Sequence, residues 1–486
     1  MSDKPSDRGF SAEQRASLLD AVRSKFTSSA RRPASAPLPS YDVSFETLAA
    51  YRELAMHRVM GEALNLSNPF HRLHDMRAGA RSRIDGKDIL NFASYDYLGL
   101  NGDPEIVEAV AAATRQWGTS VSASRITAGE RPFHAALEQA LATHYDAESA
   151  LAFVSGHAAG LSVISTLMTP RDLVLLDALS HNCLVLGAKL SGATRRNFLH
   201  NDLDNLESLL ASSRNKHDRA IIVSEGLFSM DGDRPDLARL IEIKERWGCW
   251  LMVDDAHALG VLGVKGGGSF EAAGVDPRRI DAWYGTLSKT LVSCGGYVAG
   301  ARPLIDFLRL TAPSMVYSVG MTPQACEAAR VALDLMQRRP ERVARLQANG
   351  RLFLSLAREA GLNVGSSEGY AITPVIVGDS LRTVLLAERL LARGVNAFPV
   401  FPPAVPEASA RLRFFLSAEH TDEEIALAVQ ATREELTLLE TEGASLFSAA
   451  KSLIARGAID GAPSIDPGDV FLRRELARRT RGGDDE

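Results

Sequence analysis

Cysteine is scarce in this chain: Cys183, Cys249, Cys294 and Cys326 are scattered through 486 residues without paired spacing. That excludes a disulfide scaffold and the repeated cysteine pairs of a structural zinc site, so no metal is expected. Reduced thiols in a cytosol fit better. An excess of one charge is missing too. The net charge is −6, which gives no basic signal for a nucleic-acid partner. No apolar run approaches the length of a membrane span. The opening MSDKPSDRGFSAEQ lacks the hydrophobic region of a secretory signal. Internal repeats are also absent. These absences predict a cytoplasmic protein, at most peripheral to the inner membrane surface.

What is present is an ordinary globular composition, 45% hydrophobic and 23% charged, in a chain too long for one compact core. Residues 1–40 read as a mobile extension, a short helix over Ala12 to Phe26 followed by the linker SSARRPASAPLPS. Residues 41–90 read as a helical lead-in, with Phe45, Leu48, Tyr51, Leu54 and Val59 on a helix-like period. Residues 91–322 form the large unit. It opens with a strand in NFASYDYLGL that turns at Asp96, then a helix from Pro104 through Trp117. A hydroxyl-rich loop, GTSVSASRITAGERPFH, runs into a helix near Phe133. Strands are expected at Ala150 to Val154, Leu173 to Asp177, Ala220 to Glu225, Trp250 to Asp254, Ile280 to Tyr284 and Gly296 to Gly300. Helix-length segments such as Pro235 to Trp247 lie between them. That alternation predicts an α/β fold with a mostly parallel sheet covered on both faces.

Residues 323–441 read as a smaller α/β unit. It has a long helix from Gln324 past Pro340, strands at Ile372 to Val377 and Arg413 to Ser417, and a helix at Leu381 to Arg393. Residues 442–486 form an amphipathic and basic tail, with Leu446, Phe447, Ala450, Leu453 and Ile454 beside Lys451 and Arg456.

Two stretches carry chemistry. The apolar run Trp250 to Val253 closes on Asp254-Asp255-Ala256-His257, a buried strand delivering acid and imidazole at its carboxyl end, where ligands bind in open α/β sheets. The strand ending at Tyr284 is followed by Gly285-Thr286-Leu287-Ser288-Lys289-Thr290. A lysine among small hydroxyl residues just past a strand is placed for Schiff-base chemistry. Pyridoxal 5′-phosphate (PLP) needs an amine, a carboxylate on its ring nitrogen and phosphate donors. Lys289, Asp254 and Thr286 with Ser288 supply all three. A third stretch, Ser155-Gly156-His157 between a strand and a helix, has the form of a phosphate cradle.

Together these stretches resemble the α-oxoamine synthases, PLP enzymes that condense an amino acid with an acyl thioester and release carbon dioxide. The shared signature is an Asp-(Glu/Asp)-Ala-His strand end with a downstream Gly-Thr-x-(Ser/Gly)-Lys, and the likeness runs from Asn91 to Thr421. It implies PLP-dependent fold type I, aspartate-aminotransferase-like, with a large sheet domain and a smaller C-terminal one. It further implies that Lys289 binds the cofactor and takes the Cα proton, and that Asp254 keeps the ring nitrogen protonated. His257 would reach the phenolic oxygen, and His181 would stack on the ring. Ser229, supported by Glu225, would sit close to the cofactor. The amides of Gly156 and His157 with Thr286 and Ser288 would hold the phosphate, although the family usually has an aromatic residue where His157 stands. Ser318, in MVYSVGMTP, resembles a segment that reaches the partner subunit's phosphate, which implies a homodimer with shared sites. Arg413, in ARLRFFLSAEHT, matches the arginine that pairs with the substrate's carboxylate.

Departures from the family bear on the substrate. Tyr95 stands where most members have asparagine, and serine palmitoyltransferases resemble this chain in placing tyrosine there. Phe401 stands where the enzymes of biotin synthesis have arginine, before a PPAVP run close to the PPATP of serine palmitoyltransferases. The resemblance thus implies condensation of L-serine with a long-chain acyl thioester, on coenzyme A or an acyl carrier protein, to 3-oxosphinganine. The alternative is another α-oxoamine synthase, using alanine or glycine, such as 8-amino-7-oxononanoate synthase. The two terminal extensions are candidates for docking the carrier protein or a membrane surface.

Overall fold

The computed structural model describes residues 44–52, 54–55, 66–402, 404–445 and 448. The helix, linker and docking roles expected of residues 1–40, and almost all of the tail after Thr441, lie outside them. So do Val59 and Pro403.

The central layer is a seven-stranded sheet made of β3 (Ser149–Phe153), β4 (Leu173–Asp177), β5 (Thr194–Phe198), β6 (Ala220–Glu225), β7 (Trp250–Asp254), β8 (Ala282–Thr286) and β9 (Gly296–Gly300). Their spatial order is β3-β9-β8-β7-β6-β4-β5. Only β9 runs antiparallel to its neighbours, so the other six strands bring their carboxyl ends to one edge. Strands LVLLD and AIIVSE are buried at every position, as a sheet covered on both faces requires. Leu173 and Leu175 pack into one apolar cluster and Val174 and Leu176 into another, so successive side chains of one strand feed two cores. β5, TRRNF, is an edge strand that the sequence did not reveal. Its charged, exposed middle hides the strand pattern and discourages pairing with another chain.

Two small sheets complete the fold: β10 (Ile372–Ile376), β13 (Arg411–Phe415) and β12 (Phe398–Val400), all antiparallel, and β1 (Arg81–Ile84), β2 (Lys87–Asn91) and β11 (Val395–Asn396). The second corrects the helical lead-in. The helix period holds over residues 49–52 and 54–55, residues 66–80 are irregular, and residues 81–91 form a hairpin. Asp85 and Gly86 have φ of 51° and 75°, the mirror-image turn that an Asp-Gly pair favours. The strand expected in NFASYDYLGL therefore ends at Asn91. The rest of that segment is looped, its Phe92 carbonyl accepting from Phe415 N and its Tyr97 carbonyl from Ala418 N. The long helix is two, Pro323–Arg338 and Pro340–Glu359. Pro340 forces Arg339 out of helical geometry, to φ −124° and ψ 59°. Helix Asp422–Thr441 follows a capping box in which the Thr421 hydroxyl accepts from Glu424 N and the Glu424 carboxylate accepts from Thr421 N. Among the described residues no helix is long and apolar enough to cross a membrane.

Candidate active site

The carboxyl ends of β6 and β7 put Glu225 and Asp254 side by side, since the two are register partners in adjacent parallel strands. Both are buried. Asp254 accepts a hydrogen bond from Ala256 N at 2.9 Å. Its neighbour Asp255 points away and accepts from the Ser269 hydroxyl at 2.6 Å. Of the acid pair in the sequence, only Asp254 therefore lies beside Glu225. Burial pushes the Asp254 carboxyl up to about 6, opposed by the nearby Lys289 cation. Burial and then the Asp254 charge hold Glu225 far above the ordinary range. Glu225 Oε2 takes a long hydrogen bond of 3.4 Å from Ser229 N, and Oε1 has no partner.

Lys289 rides on the turn after β8. That turn is pinned by Leu287 N donating to Gly295 O (2.9 Å), Ser293 N to Leu287 O (2.9 Å) and the Thr290 hydroxyl to Leu259 O (2.7 Å). Val292, a β-branched residue, is held at φ 41° on the same turn, a strained conformation that the pinning maintains. Lys289 is half-buried. Desolvation pulls its amine down to about 8 against the pull of Asp254 and Glu225. The Tyr95 ring centre stands 5.8 Å from Nζ.

Beside the lysine, helix Gly156–Leu167 starts from Ser155, whose hydroxyl accepts from Ala158 N. Its first amides are unpaired and aim at the sheet edge. Gly156 is required by contact: a Cβ there would sit 2.8 Å from Thr286 Oγ1. The Thr286 and Ser288 hydroxyls lie 2.8 Å apart at the same place. His157, on the first helical turn, is exposed. Such a cluster of amides and hydroxyls fits a phosphate, and the adjoining amine and acid fit the ring that carries it.

His257 is buried, its Nδ1 2.7 Å from the Tyr97 hydroxyl and its ring nearly parallel to Phe415 at 6.3 Å. Desolvation and the nearby Lys289 and Arg413 cations hold it neutral. His181 caps helix Asn182–Ser191, its Nδ1 accepting from Cys183 N. Desolvation and Lys289 also lower its pKa. Arg413, on β13, is buried. Nη1 donates to Ser229 O at 3.1 Å, the guanidinium lies 4.6 Å over the Phe415 ring, and Nε has no partner. Among the described residues no carboxylate pairs with Arg413, whereas Arg411 is paired with Asp231 at 2.7 Å.

The structure thus gathers Lys289, Asp254, Glu225, His257, His181, Ser229, Arg413, Tyr95, Gly156, His157, Thr286 and Ser288 at one sheet edge. Phe401 belongs to a second aromatic group, 5.6 Å from Phe70, which also faces Phe398 at 6.0 Å. Ser318 is half-buried between the exposed Tyr317 and Val319. Nothing local in Asn91 to Leu100 marks the reach of Tyr97 to His257, 160 positions away. The four cysteines are free thiols.

A sequence model of the family "Aminotransferase class I and II" matches residues 87–431. A putative 8-amino-7-oxononanoate synthase of Gloeobacter violaceus is 43% identical over 72% of this chain and 89% of its own. The 8-amino-7-oxononanoate synthase of Methylobacterium sp. (strain 4-46) is 40% identical over 73% of this chain and 88% of its own. The solved serine palmitoyltransferase of Sphingomonas wittichii is 28% identical with a TM-score of 0.78, covering 82% of this chain and 99% of that one. With matches of that length and identity joined to this site, the chain belongs to the class I and II aminotransferase family and, within it, to the PLP-dependent α-oxoamine synthases.

Proposed function

We propose that the site takes a small, uncharged L-amino acid by its carboxylate on Arg413 and joins its Cα to the acyl carbon of a thioester, with the thiol and carbon dioxide as the leaving groups. The observation that carries this is the buried Arg413 guanidinium, which lacks an acidic partner among the described residues and leaves Nε unused. A substrate carboxylate completes it with paired hydrogen bonds. When bound, PLP supplies a ring that withdraws electrons from the amino acid's Cα. The chain does the rest. The amides of Gly156 and His157 with the Thr286 and Ser288 hydroxyls hold the phosphate. Asp254 keeps a proton on the ring nitrogen, His257 and Ser229 flank the ring, and His181 packs against its face. The Lys289 amine, lowered to about 8, takes the Cα proton near neutral pH and returns one after carbon dioxide has left. Tyr95 covers that amine. Ser318 serves the site of a second copy, making the working unit a homodimer.

Sequence identity reverses the order of the two substrate readings. The relatives at 43% and 40% identity are named for 8-amino-7-oxononanoate. In that product, carbons 8 and 9 with the amino group derive from alanine and the remainder from a seven-carbon dicarboxylic acyl group. L-Alanine with such a thioester is therefore the first reading. The second, L-serine with a long-chain acyl thioester, is favoured by the aromatic group of Phe70, Phe398 and Phe401. Such a lining gains about 0.8 kcal/mol per buried methylene and offers a distal carboxylate nothing. Absorbance titration of the holoenzyme with L-alanine, L-serine and glycine, followed by turnover with pimeloyl and palmitoyl thioesters, separates them. Response to alanine with pimeloyl turnover supports the first reading, and response to serine with palmitoyl turnover the second. A spectrum unmoved by all three amino acids overturns both.

A further inference from the structure

His200 stands outside every role given above, yet it lies beneath two of the turns that face the substrate. Its Nδ1 is 2.9 Å from Asp177 Oδ1 and its Nε2 is 3.0 Å from Asp233 Oδ2. Both acceptors are carboxylates, so both ring nitrogens carry protons and the ring is a cation. Burial works against that charge, but the hydrogen bonds of Asp177 and Asp233 outweigh it and hold the pKa up to about 10.

Each acid anchors a different turn. Asp177 ends β4 and also accepts from Leu179 N at 2.8 Å, shaping the turn that leads to His181. Asp233 closes the turn after β6: its carbonyl accepts from Phe228 N, and its Oδ2 also accepts from the Ser366 hydroxyl at 3.0 Å. That turn carries the Ser229 carbonyl that holds Arg413 and the Met230 carbonyl that holds Arg411. The remaining groups around the ring are Asn201, whose N donates to Asp177 and whose Nδ2 donates to Asp233, and Phe228, edge-on at 4.4 Å. The ion pairs Arg234–Glu368 and Arg411–Asp231 flank the same turn.

We propose that His200 is a positioning residue, an imidazolium clamp between Asp177 and Asp233 that sets the Ser229 turn against Arg413 and so fixes the grip on the substrate's carboxylate. The inference rests on the reading of Arg413 given above.

The test uses holoenzyme and two ligand pairs, L-alanine against ethylamine and L-serine against ethanolamine, so that each pair differs by the carboxylate alone. For His200→Asn the amino-acid dissociation constant should rise about 10- to 100-fold, as misplacement by an ångström commonly costs. The preference over the amine should shrink by the same factor, while PLP affinity falls by much less, because Lys289, Asp254 and the phosphate donors lie elsewhere although His181 and Ser229 ride on the clamped turns. The double variant His200→Gln with Asp233→Asn removes one of the two orphaned charges and leaves Asp177 with its Leu179 and Asn201 amides. It should fold where the single variant does not, and should show the same lost preference. An amino-acid preference equal to wild type in either folded variant overturns the clamp. So does a loss of PLP affinity in step with amino-acid affinity. Arg413→Lys separates the two levels: an undiminished preference there sinks the Arg413 reading, whereas a preference lost there and kept without His200 sinks only the clamp.

Discussion

Glu225 and Asp254 project from register-paired positions of adjacent parallel strands, on the same face and at the same buried edge. Neighbouring strands are about 4.8 Å apart. At an effective dielectric constant of about 20, two carboxylates at that spacing repel by about 3.5 kcal/mol. That is roughly a 300-fold effect on proton affinity, so one of the two holds its proton at neutral pH. Asp254 has the Ala256 amide at 2.9 Å, whereas Glu225 has one long hydrogen bond and an oxygen with none. Glu225 is therefore the neutral member. Glu225→Gln exchanges one uncharged planar group for another of the same shape. At pH 7 it should leave PLP affinity within about 1 kcal/mol of wild type, and near pH 4.5 it should match wild type in thermal stability to the same degree, while Asp254→Asn should lose the cofactor.

The pH dependence gives the sharper test. A carboxyl whose native pKa is raised binds more protons folded than unfolded, so the wild type loses stability as pH climbs from the ordinary 4.5 toward the native value. Glu225→Gln has no such slope. Its melting temperature relative to wild type should therefore rise steadily with pH above about 5. Calorimetric or fluorescence melts at half-unit pH intervals read this directly. A flat difference, or a loss of PLP affinity at pH 7 matching that of Asp254→Asn, would show that Glu225 is ionised and that the proton sits elsewhere.

Three further outcomes follow from the site. Because the Lys289 amine is lowered to about 8, the rate at which the bound-cofactor absorbance develops in apoprotein should climb with pH through a midpoint near 8 and level off above it. A climb continuing toward 10.5 would contradict the desolvated cleft. In Gly296→Ala the new Cβ would stand 2.5 Å from Gly156 Cα and 2.9 Å from Gly156 N, backbone with little freedom to yield. Overpacking of that kind costs about 1–3 kcal/mol, and a raised PLP dissociation constant by titration is its signature. Tyr97→Phe leaves His257 Nδ1 without its 2.7 Å partner. A buried unsatisfied nitrogen should lower stability by about 1–3 kcal/mol, and the drop should be absent when His257 is already replaced by a residue without that nitrogen.

Legibility in the sequence tracked locality and burial. β4, β6, β7 and β9 ended where their apolar runs ended, because strands buried on both faces write themselves as unbroken hydrophobic segments. β5 and the 81–91 hairpin hid behind charged residues, although Asp85-Gly86 was a turn signal in plain sight. Helix Asp422–Thr441 was announced by Thr421 and Glu424, a capping pair that deserved a helix after it. The site divides the same way. Lys289, Asp254 and the Ser155-Gly156 turn were readable because each needs only a strand, a turn and the next few residues. Arg413 was readable only through resemblance: that it is buried with Nε unpartnered, while Arg411 two residues earlier is paired with Asp231, is set by the fold and not by the neighbouring sequence. His200 was not readable at all. Its two acids lie 23 and 33 positions away, and only the order β6-β4-β5 brings the turns that carry them together. What a sheet edge assembles from non-consecutive strands is set by topology, so a residue that acts by joining two of its turns becomes visible only once the strand order is known.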